Sequence, residues 1–303
     1  MGNRIKGMLA GYDVIDVKPF NKGWSDDEKY IVTTKSGKKK LLRLSDASNA
    51  ARCERQVHII KQAIANDIPT QQLVAHGYCF EDTKYFILLE WVDGVDANEF
   101  IMNYSTEDQY KFGRTAGGYL KRIHQFSSTV KPKDDWDVLF NRKIDKKLEL
   151  YENCELKYDN DDLMLERIES LRAKLSDVGQ VVHHGDYHLG NILIDRNQQL
   201  HIIDFDRHDI GDPWEEFNRL PFCYDVSPKF ASGLVDGYFD DEVPYLFWEM
   251  LCLYISTNAL SALPWAMMFG EEEIITMQRQ TDSIFKQYEN FGRVIPLWYS
   301  GGN

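Results

Sequence analysis

The sequence predicts an α+β protein in two parts, an antiparallel sheet with one helix followed by a larger, mainly helical region. Three observations carry this expectation. Runs rich in β-branched and aromatic residues, separated by short turns, fill the first ninety residues. After Gly94 the apolar residues recur at helical spacing instead. Two aspartate-bearing motifs then interrupt the helical region near residues 186 and 204.

Strands are expected at 13–20, 29–34, 40–44, 73–79 and 85–91, with turns at Lys22-Gly23 and Ser36-Gly37. Between the third and fourth lies a helix with Ser48 as its N-cap. Its apolar stripe is Val57, Ile60 and Ile64, and Asp67-Ile68-Pro69 ends it. Val92-Asp93-Gly94 marks a boundary, dividing the chain into 1–92 and 93–303. The second part opens on Thr106-Glu107-Asp108-Gln109, which reads as a capping box. Further helices are expected at 139–151, 163–176, from Ser227-Pro228 onward, at 242–263 and at 271–290. The most apolar stretch, 243–269, contains Glu249, Asn258 and Pro264, so it reads as a buried helix rather than a membrane span.

A chain of 303 residues with 43% hydrophobic content can bury a sizeable core. The formal net charge of −13 argues against a nucleic-acid partner, which needs a basic face. Five cysteines without a C-x-x-C pair suggest no disulfide framework and a reducing, cytoplasmic setting. Lys6 stands where the myristoylation motif after Met1-Gly2 needs Ser or Thr, and no signal pattern is readable. The expectation is therefore no membrane partner, with the oligomeric state left open.

The chemistry concentrates in His183-His184-Gly185-Asp186-Tyr187-His188-Leu189-Gly190-Asn191 and Ile202-Ile203-Asp204-Phe205-Asp206. Transfer of a γ-phosphoryl group needs a carboxylate to accept the attacking hydroxyl's proton and oxygen ligands for the magnesium bridging the nucleotide phosphates. Asp186 fits the base, and Asn191 and Asp204 fit the Mg²⁺ ligands. Asp204 follows the apolar Leu200-His201-Ile202-Ile203, so a buried strand would deliver its carboxylate to a place where it needs a cation. Asp206 is either a second metal contact or a turn residue. The competing reading makes Asp186 a loop Asp and Asn191 a turn Asn. A zinc site from His183, His184 and His188 is disfavoured, because Gly185 and Gly190 break the helix that i, i+4 ligands need and the H-E-x-x-H glutamate is missing. His184 reads instead as a residue that braces the loop.

Upstream, the segment from Phe20 to Asp26 could cover nucleotide phosphates with backbone N–H groups, at Gly23 among others, plus the Ser25 hydroxyl. Arg43 lies on the third strand at the position of the kinase lysine that contacts the α and β phosphates, with Glu54 as its expected ion-pair partner. Backbone groups of Glu90 and Val92 stand where a purine edge would be read.

With these pieces in order, the chain resembles the aminoglycoside phosphotransferase family over nearly its whole length. The resemblance rests on His184-Gly185-Asp186 through Asn191, on Ile203-Asp204-Phe205-Asp206, and on Gly211-Asp212-Pro213-Trp214-Glu215-Glu216-Phe217. It implies a two-lobed protein-kinase-like fold, ATP or GTP as donor, Mg²⁺, and Asp186 as catalytic base, with Glu216 as a structural brace. Arg43 in place of Lys and a nucleotide loop with few glycines are departures from the family pattern.

The acceptor implied is a small molecule. Beyond the metal motif lie Asp209, Asp212, Glu215, Glu216 and Asp225, then Asp236, Tyr238, Phe239, Asp240, Asp241 and Glu242, with Trp248 and Trp265 later. An anionic cleft of this kind would attract a polycationic aminosugar. The plainer alternative is that these residues cap helices and cover the surface. The leading expectation is a Mg-dependent kinase of an aminoglycoside-like cation, which would make antibiotic resistance its role. Relatives that phosphorylate macrolides, choline-like alcohols, homoserine or sugars supply the alternative acceptors. A non-catalytic nucleotide-binding pseudokinase is the rival from another class, and no Ala-Pro-Glu segment supports a protein kinase.

Overall fold

The structure is a computed structural model describing residues 1–21 and 27–301. It divides into two compact units: Met1–Asp96 with Asn191–Arg207, and Ala97–Gly190 with His208–Asn303.

The first unit opens with a short helix, α1 (Gly2–Met8), and three strands, β1 (Val14–Pro19), β2 (Glu28–Thr34) and β3 (Lys39–Asp46). Helix α2 (Ala50–Ala65) follows, then β4 (Leu73–Cys79) and β5 (Lys84–Glu90). The strands form an antiparallel sheet in the order β1-β2-β3-β5-β4. Side chains alternate across a strand, so Leu42 and Leu44 of β3 share one face, and Leu41, Arg43 and Ser45 share the other. Leu42 and Leu44 join Val32, Leu88 and Cys79 in a core closed by Ile5 of α1 and Leu9. No helical periodicity marks α1 in the sequence, because seven residues with two glycines are marginal alone and are held by burying Ile5. Ser48 does not cap α2, whose N-cap Asn49 makes no side-chain capping bond; the cap here is Asp46, on the 3-10 turn Ala47–Asn49 that leads into the helix. Its carboxylate accepts the Ser48 N–H at 3.0 Å and the Ser48 hydroxyl at 2.7 Å, one residue before a 3-10 turn.

After the edge strand β6 (Gly94–Asp96) the chain enters the second unit with α3 (Ala97–Phe100), α4 (Thr106–Ile123), α5 (Trp136–Glu152), α6 (Asp161–Arg172) and the short strand β7 (Val181–His183). Ser105, not Thr106, caps α4 by accepting the Asp108 N–H at 3.1 Å. The chain then returns to the first unit as the hairpin β8 (Ile192–Asp195) and β9 (Leu200–Ile202). This hairpin extends β6 into a three-stranded sheet, and the Ile202 N–H donates to Pro69 O at 2.9 Å. These backbone bonds explain why residues 191–207 group with the sheet, whereas a division at residue 92 leaves them with the helices.

The second unit resumes with β10 (Asp209–Gly211), which pairs with β7. The helices α7 (Pro221–Tyr224), α8 (Pro228–Phe239), α9 (Tyr245–Ala266) and α10 (Glu271–Gln287) complete it. Glycines let α4 and α8 meet backbone to backbone. A Cβ at Gly117 would lie 2.1 Å from Leu234 O, and one at Gly237 would lie 2.2 Å from Arg114 O. Ser227 caps α8, accepting the Phe230 N–H at 3.0 Å, with Pro228 in the first turn. Helix α9 is long and apolar enough to cross a membrane, yet residues such as Phe247, Leu251, Tyr254 and Leu260 lie in the unit's core.

Candidate active site

On the first unit, β3 carries Arg43 into a cluster of carboxylates. Its guanidinium, 3% exposed, donates through Nη1 to Asp204 Oδ1 at 2.5 Å and through Nη2 to Asp206 Oδ2 at 2.7 Å. The opposite edge is held by Asp27, whose Oδ2 accepts from Nη2 at 2.9 Å and Nε at 3.2 Å. The other oxygen of Asp27 accepts from Ser45 Oγ at 2.6 Å and from Arg52 Nη2, on α2, at 3.0 Å. Arg52 Nη1 also lies 4.0 Å from Asp206 Oδ2. Burial opposes charge on Arg43, but Asp204, Asp206 and Asp27 outweigh it and raise the guanidinium's pKa. Burial likewise opposes ionisation of Asp27, and Arg43, Ser45 and Arg52 reverse it, leaving the carboxyl below its ordinary range.

Glu54 is therefore not the partner of Arg43. It is exposed, and its charge acts on His76 and Tyr85. The reason is helical geometry: Glu54 is two residues after Arg52 on α2, about 200° around the axis. Gly23 and Ser25 lie outside the described residues.

Asn191 and Asp204 sit side by side at the base of the β8–β9 hairpin, where Asn191 O accepts the Ile203 N–H at 3.0 Å. Asp204 adopts a left-handed backbone with φ 67°, a sparsely populated state for a non-glycine residue. Both side chains offer hard oxygen donors, and the positive charge against Asp204 in this structure belongs to Arg43. Magnesium is commonly held by one or two such side chains plus phosphate oxygens, so these residues fit it. Among the described residues no group of three or more His, Cys, Asp or Glu is arranged to hold a metal.

Glu90 and Val92 line a cavity of about 780 Å³ within the first unit, walled by the end of α2, by Pro69 and Thr70, and by the tip of the β8–β9 hairpin. The Glu90 N–H donates to Gln72 O at 2.8 Å, and its carboxylate pairs with Lys40. A purine along this segment would accordingly be read by other backbone groups, not by the Glu90 N–H.

The loop of residues 184–188 belongs to the second unit and is braced throughout. Gly185 has φ 86°, a conformation open to glycine, and its N–H donates to both oxygens of Glu216 at 3.0 and 3.2 Å. Burial would raise the Glu216 pKa. The neighbouring His124, whose Nε2 lies 3.9 Å from Oε2, with His183 and His184 outweighs burial, holding it at about 2. His184, fully buried, accepts the Asp186 N–H at its Nδ1, 3.3 Å away. Tyr187 ties the loop to α4 through a 2.7 Å bond to Ala116 O. His183 Nε2 meets Asp212 O at 2.9 Å, so the three histidines serve different neighbours.

Asp186 itself is partly exposed, with Oδ1 3.1 Å from Arg219 Nε and 3.6 Å from His188 Nε2. His188 Nδ1 accepts the Gly190 N–H at 3.1 Å, which assigns the proton of the neutral ring to Nε2, the nitrogen facing Asp186.

The profile of the phosphotransferase enzyme family matches residues 16–248, more than half of the chain. The chain belongs to that family. It is a phosphotransferase acting on a hydroxyl group. No protein of curated function matches it by sequence. Among solved structures, the GDP complex of aminoglycoside 2'-phosphotransferase-IIIa superposes with a TM-score of 0.74 at 14% identity, covering 93% of this chain and 96% of that one. A thermostable aminoglycoside phosphotransferase APH(4)-Ia with ADP and hygromycin B gives 0.65 at 14%, covering 92% and 96%. Amicoumacin kinase with AMP-PNP, Ca²⁺ and its antibiotic gives 0.64 at 12%, covering 97% and 95%. At these identities the likeness establishes the kinase-like fold.

In this phosphotransferase the acidic residues of the second unit are largely engaged. Asp236 accepts from Tyr110 and Tyr299 hydroxyls, each at 2.7 Å. Asp241 pairs with Arg114, Asp240 with Lys121 at 2.6 Å, and the buried Asp212 with Tyr254 and the Trp214 N–H. Asp225 accepts from Ser283. They are the helix caps and packing residues of the plainer reading. Three polar residues near the site escaped the sequence reading: Asp27, Arg52 and Arg219. A signal existed for Asp27, in the acidic run Asp26-Asp27-Glu28 one strand away from Arg43, whereas Arg52 and Arg219 look like ordinary surface arginines in sequence.

Proposed function

We propose that this phosphotransferase carries out Mg²⁺-dependent transfer of the γ-phosphoryl group of ATP or GTP to a hydroxyl of a small molecule. The observation that supports this most is the hairpin that brings Asn191 opposite Ile203, next to Asp204, with Arg43 bonded to Asp204 and held by Asp27. In this reading Asp186 orients the hydroxyl and takes its proton, Arg43 steadies the nucleotide phosphates, and Asn191 and Asp204 hold the metal. Bound there, Mg²⁺ would neutralise charge on the bridged phosphates.

Related structures bind hygromycin B and amicoumacin, which keeps antibiotics among the acceptors to be assayed. The engaged carboxylates of α8 leave the case for a polycationic acceptor resting on those relatives alone. The test is nucleoside diphosphate release from MgATP and MgGTP across aminoglycosides, macrolides, small alcohols, hydroxy acids and sugar phosphates. Asp186→Asn should reduce turnover by roughly 10²- to 10⁴-fold with nucleotide affinity retained. Turnover equal to wild type would remove Asp186 from its role, and nucleotide binding without turnover on any acceptor would favour the pseudokinase.

A further inference from the structure

Arg219 stands beside Asp186 with donors to spare. Arg219 ends a 3-10 turn, Glu215–Arg219, with Nε against Asp186 and its guanidinium 5.9 Å from the centre of the Phe222 ring. His188 packs against the same ring, centroids 5.4 Å apart. A guanidinium has five N–H donors, and among the described residues Arg219 has no ion-pair partner besides Asp186. Its side chain is 22% exposed, so Arg219 is within reach of a ligand.

Lys147 on α5 adds to this. It is half-buried, and among the described residues it makes no hydrogen bond or ion pair. Burial depresses its ammonium to about 8; Glu215 offsets part of this, and Lys143 and Arg219 add to it. Lys143 precedes it by one turn on the same helix face, 5.2 Å over the Trp136 ring. Like charges at i, i+4 destabilise a helix. The chain has 48 acidic side chains against 35 Lys and Arg, and it pairs Lys121, Arg114 and Arg172 with carboxylates. It leaves Lys147 without an ion pair among the described residues, near enough to Arg219 for the two charges to act on each other.

We propose that the acceptor carries an anionic oxygen group, a carboxylate or a phosphate, near the hydroxyl that is phosphorylated, and that the open fork of Arg219 receives it with Lys147 alongside. This rests on Asp186 being the catalytic base. Seated there, the acceptor's hydroxyl oxygen forms the new bond to the γ-phosphorus as the bond to the β–γ bridging oxygen breaks. The proton passes to Asp186, and the electron pair leaves on the nucleoside diphosphate. A fork-shaped, always-charged guanidinium matches two anionic oxygens better than it matches any part of an aminosugar.

The experiment compares kcat/KM for matched acceptors: hydroxy acids against their amides, sugar phosphates against the free sugars, and hygromycin B as polycation. The anionic member of at least one pair should win by about 10- to 100-fold, chiefly through KM, as loss of charged hydrogen bonds implies. The hydroxy-acid and sugar-phosphate arms separate carboxylate from phosphate. Arg219→Gln should bring the ratio within the winning pair close to one, and Lys147→Met, which breaks no ion pair, should lower it roughly tenfold. Turnover in which neutral or cationic acceptors win, or a preference for anions that both variants retain, overturns the inference while leaving the transfer reading in place. No transfer to any acceptor from either nucleotide overturns the transfer reading itself, and the inference with it.

Discussion

Around Arg43 three carboxylates converge on one buried guanidinium, with Asp27 at 4% side-chain exposure and Asp206 at 9%, whereas Asp240 and Asp241 at the end of α8 each meet their own cation at the surface. Both groups are runs of aspartate in the sequence. Burial separates them. Removing a buried cation leaves carboxylates that water cannot reach, while an exposed pair gives up only a screened interaction. The cluster around Arg43 is thus a buried charge network, and the acidic end of α8 is a set of surface pairs.

The largest test of that contrast is Arg43→Leu. It should lower unfolding stability by about 3–5 kcal/mol, since Asp27, Asp204 and Asp206 would lose the buried guanidinium they share. Urea unfolding measures this, and a loss no greater than that of a surface pair would erase the distinction. A smaller effect is expected from pH. The Glu216 carboxyl is held at about 2 against an ordinary 4.5, a depressed value, so its contribution is present above about pH 4.5 and is lost as pH falls toward 2. Glu216→Gln should flatten the acid dependence of the unfolding midpoint in that window, and an unchanged slope would take the loop brace out of the ionised state. The smallest effect is expected at Asp241→Asn, where breaking the exposed pair with Arg114 should barely move the urea midpoint, and any shift should fade with added salt. A large, salt-insensitive shift of the midpoint there would place α8 with the buried cluster.

Much of the fold was legible because periodicity is local. The five strands of the first sheet and most helices fall within a few residues of expectation, and Ser227-Pro228 starts α8 with the N-cap geometry its residues specify. Caps were less certain: Asp46 and Ser105 displaced Ser48 and Thr106 by one or two positions, since several neighbouring Ser, Thr and Asp can each accept the same N–H groups. Within the candidate site, spacing along the chain singled out Asp186, Asn191 and Asp204, whose roles belong to the proposal above. The site was not legible where partners came from distant segments. Glu54 looked suitable for Arg43 by analogy, yet the turn of α2 directs Arg52, not Glu54, to that side.

By itself the sequence determined the reaction class and the order of elements, because a short carboxylate motif and helical or alternating patterns are properties of neighbouring residues. Tertiary structure alone decided which charges meet. The excess of 48 acidic over 35 basic residues said nothing of where carboxylates would be neutralised. Packing α4 on α8 brought Asp240 and Asp241 to Lys121 and Arg114, and the β2–β3 pairing brought Asp27 to Arg43. Electrostatic energy depends on distance and burial across the fold, and neither is encoded within any one segment of the chain.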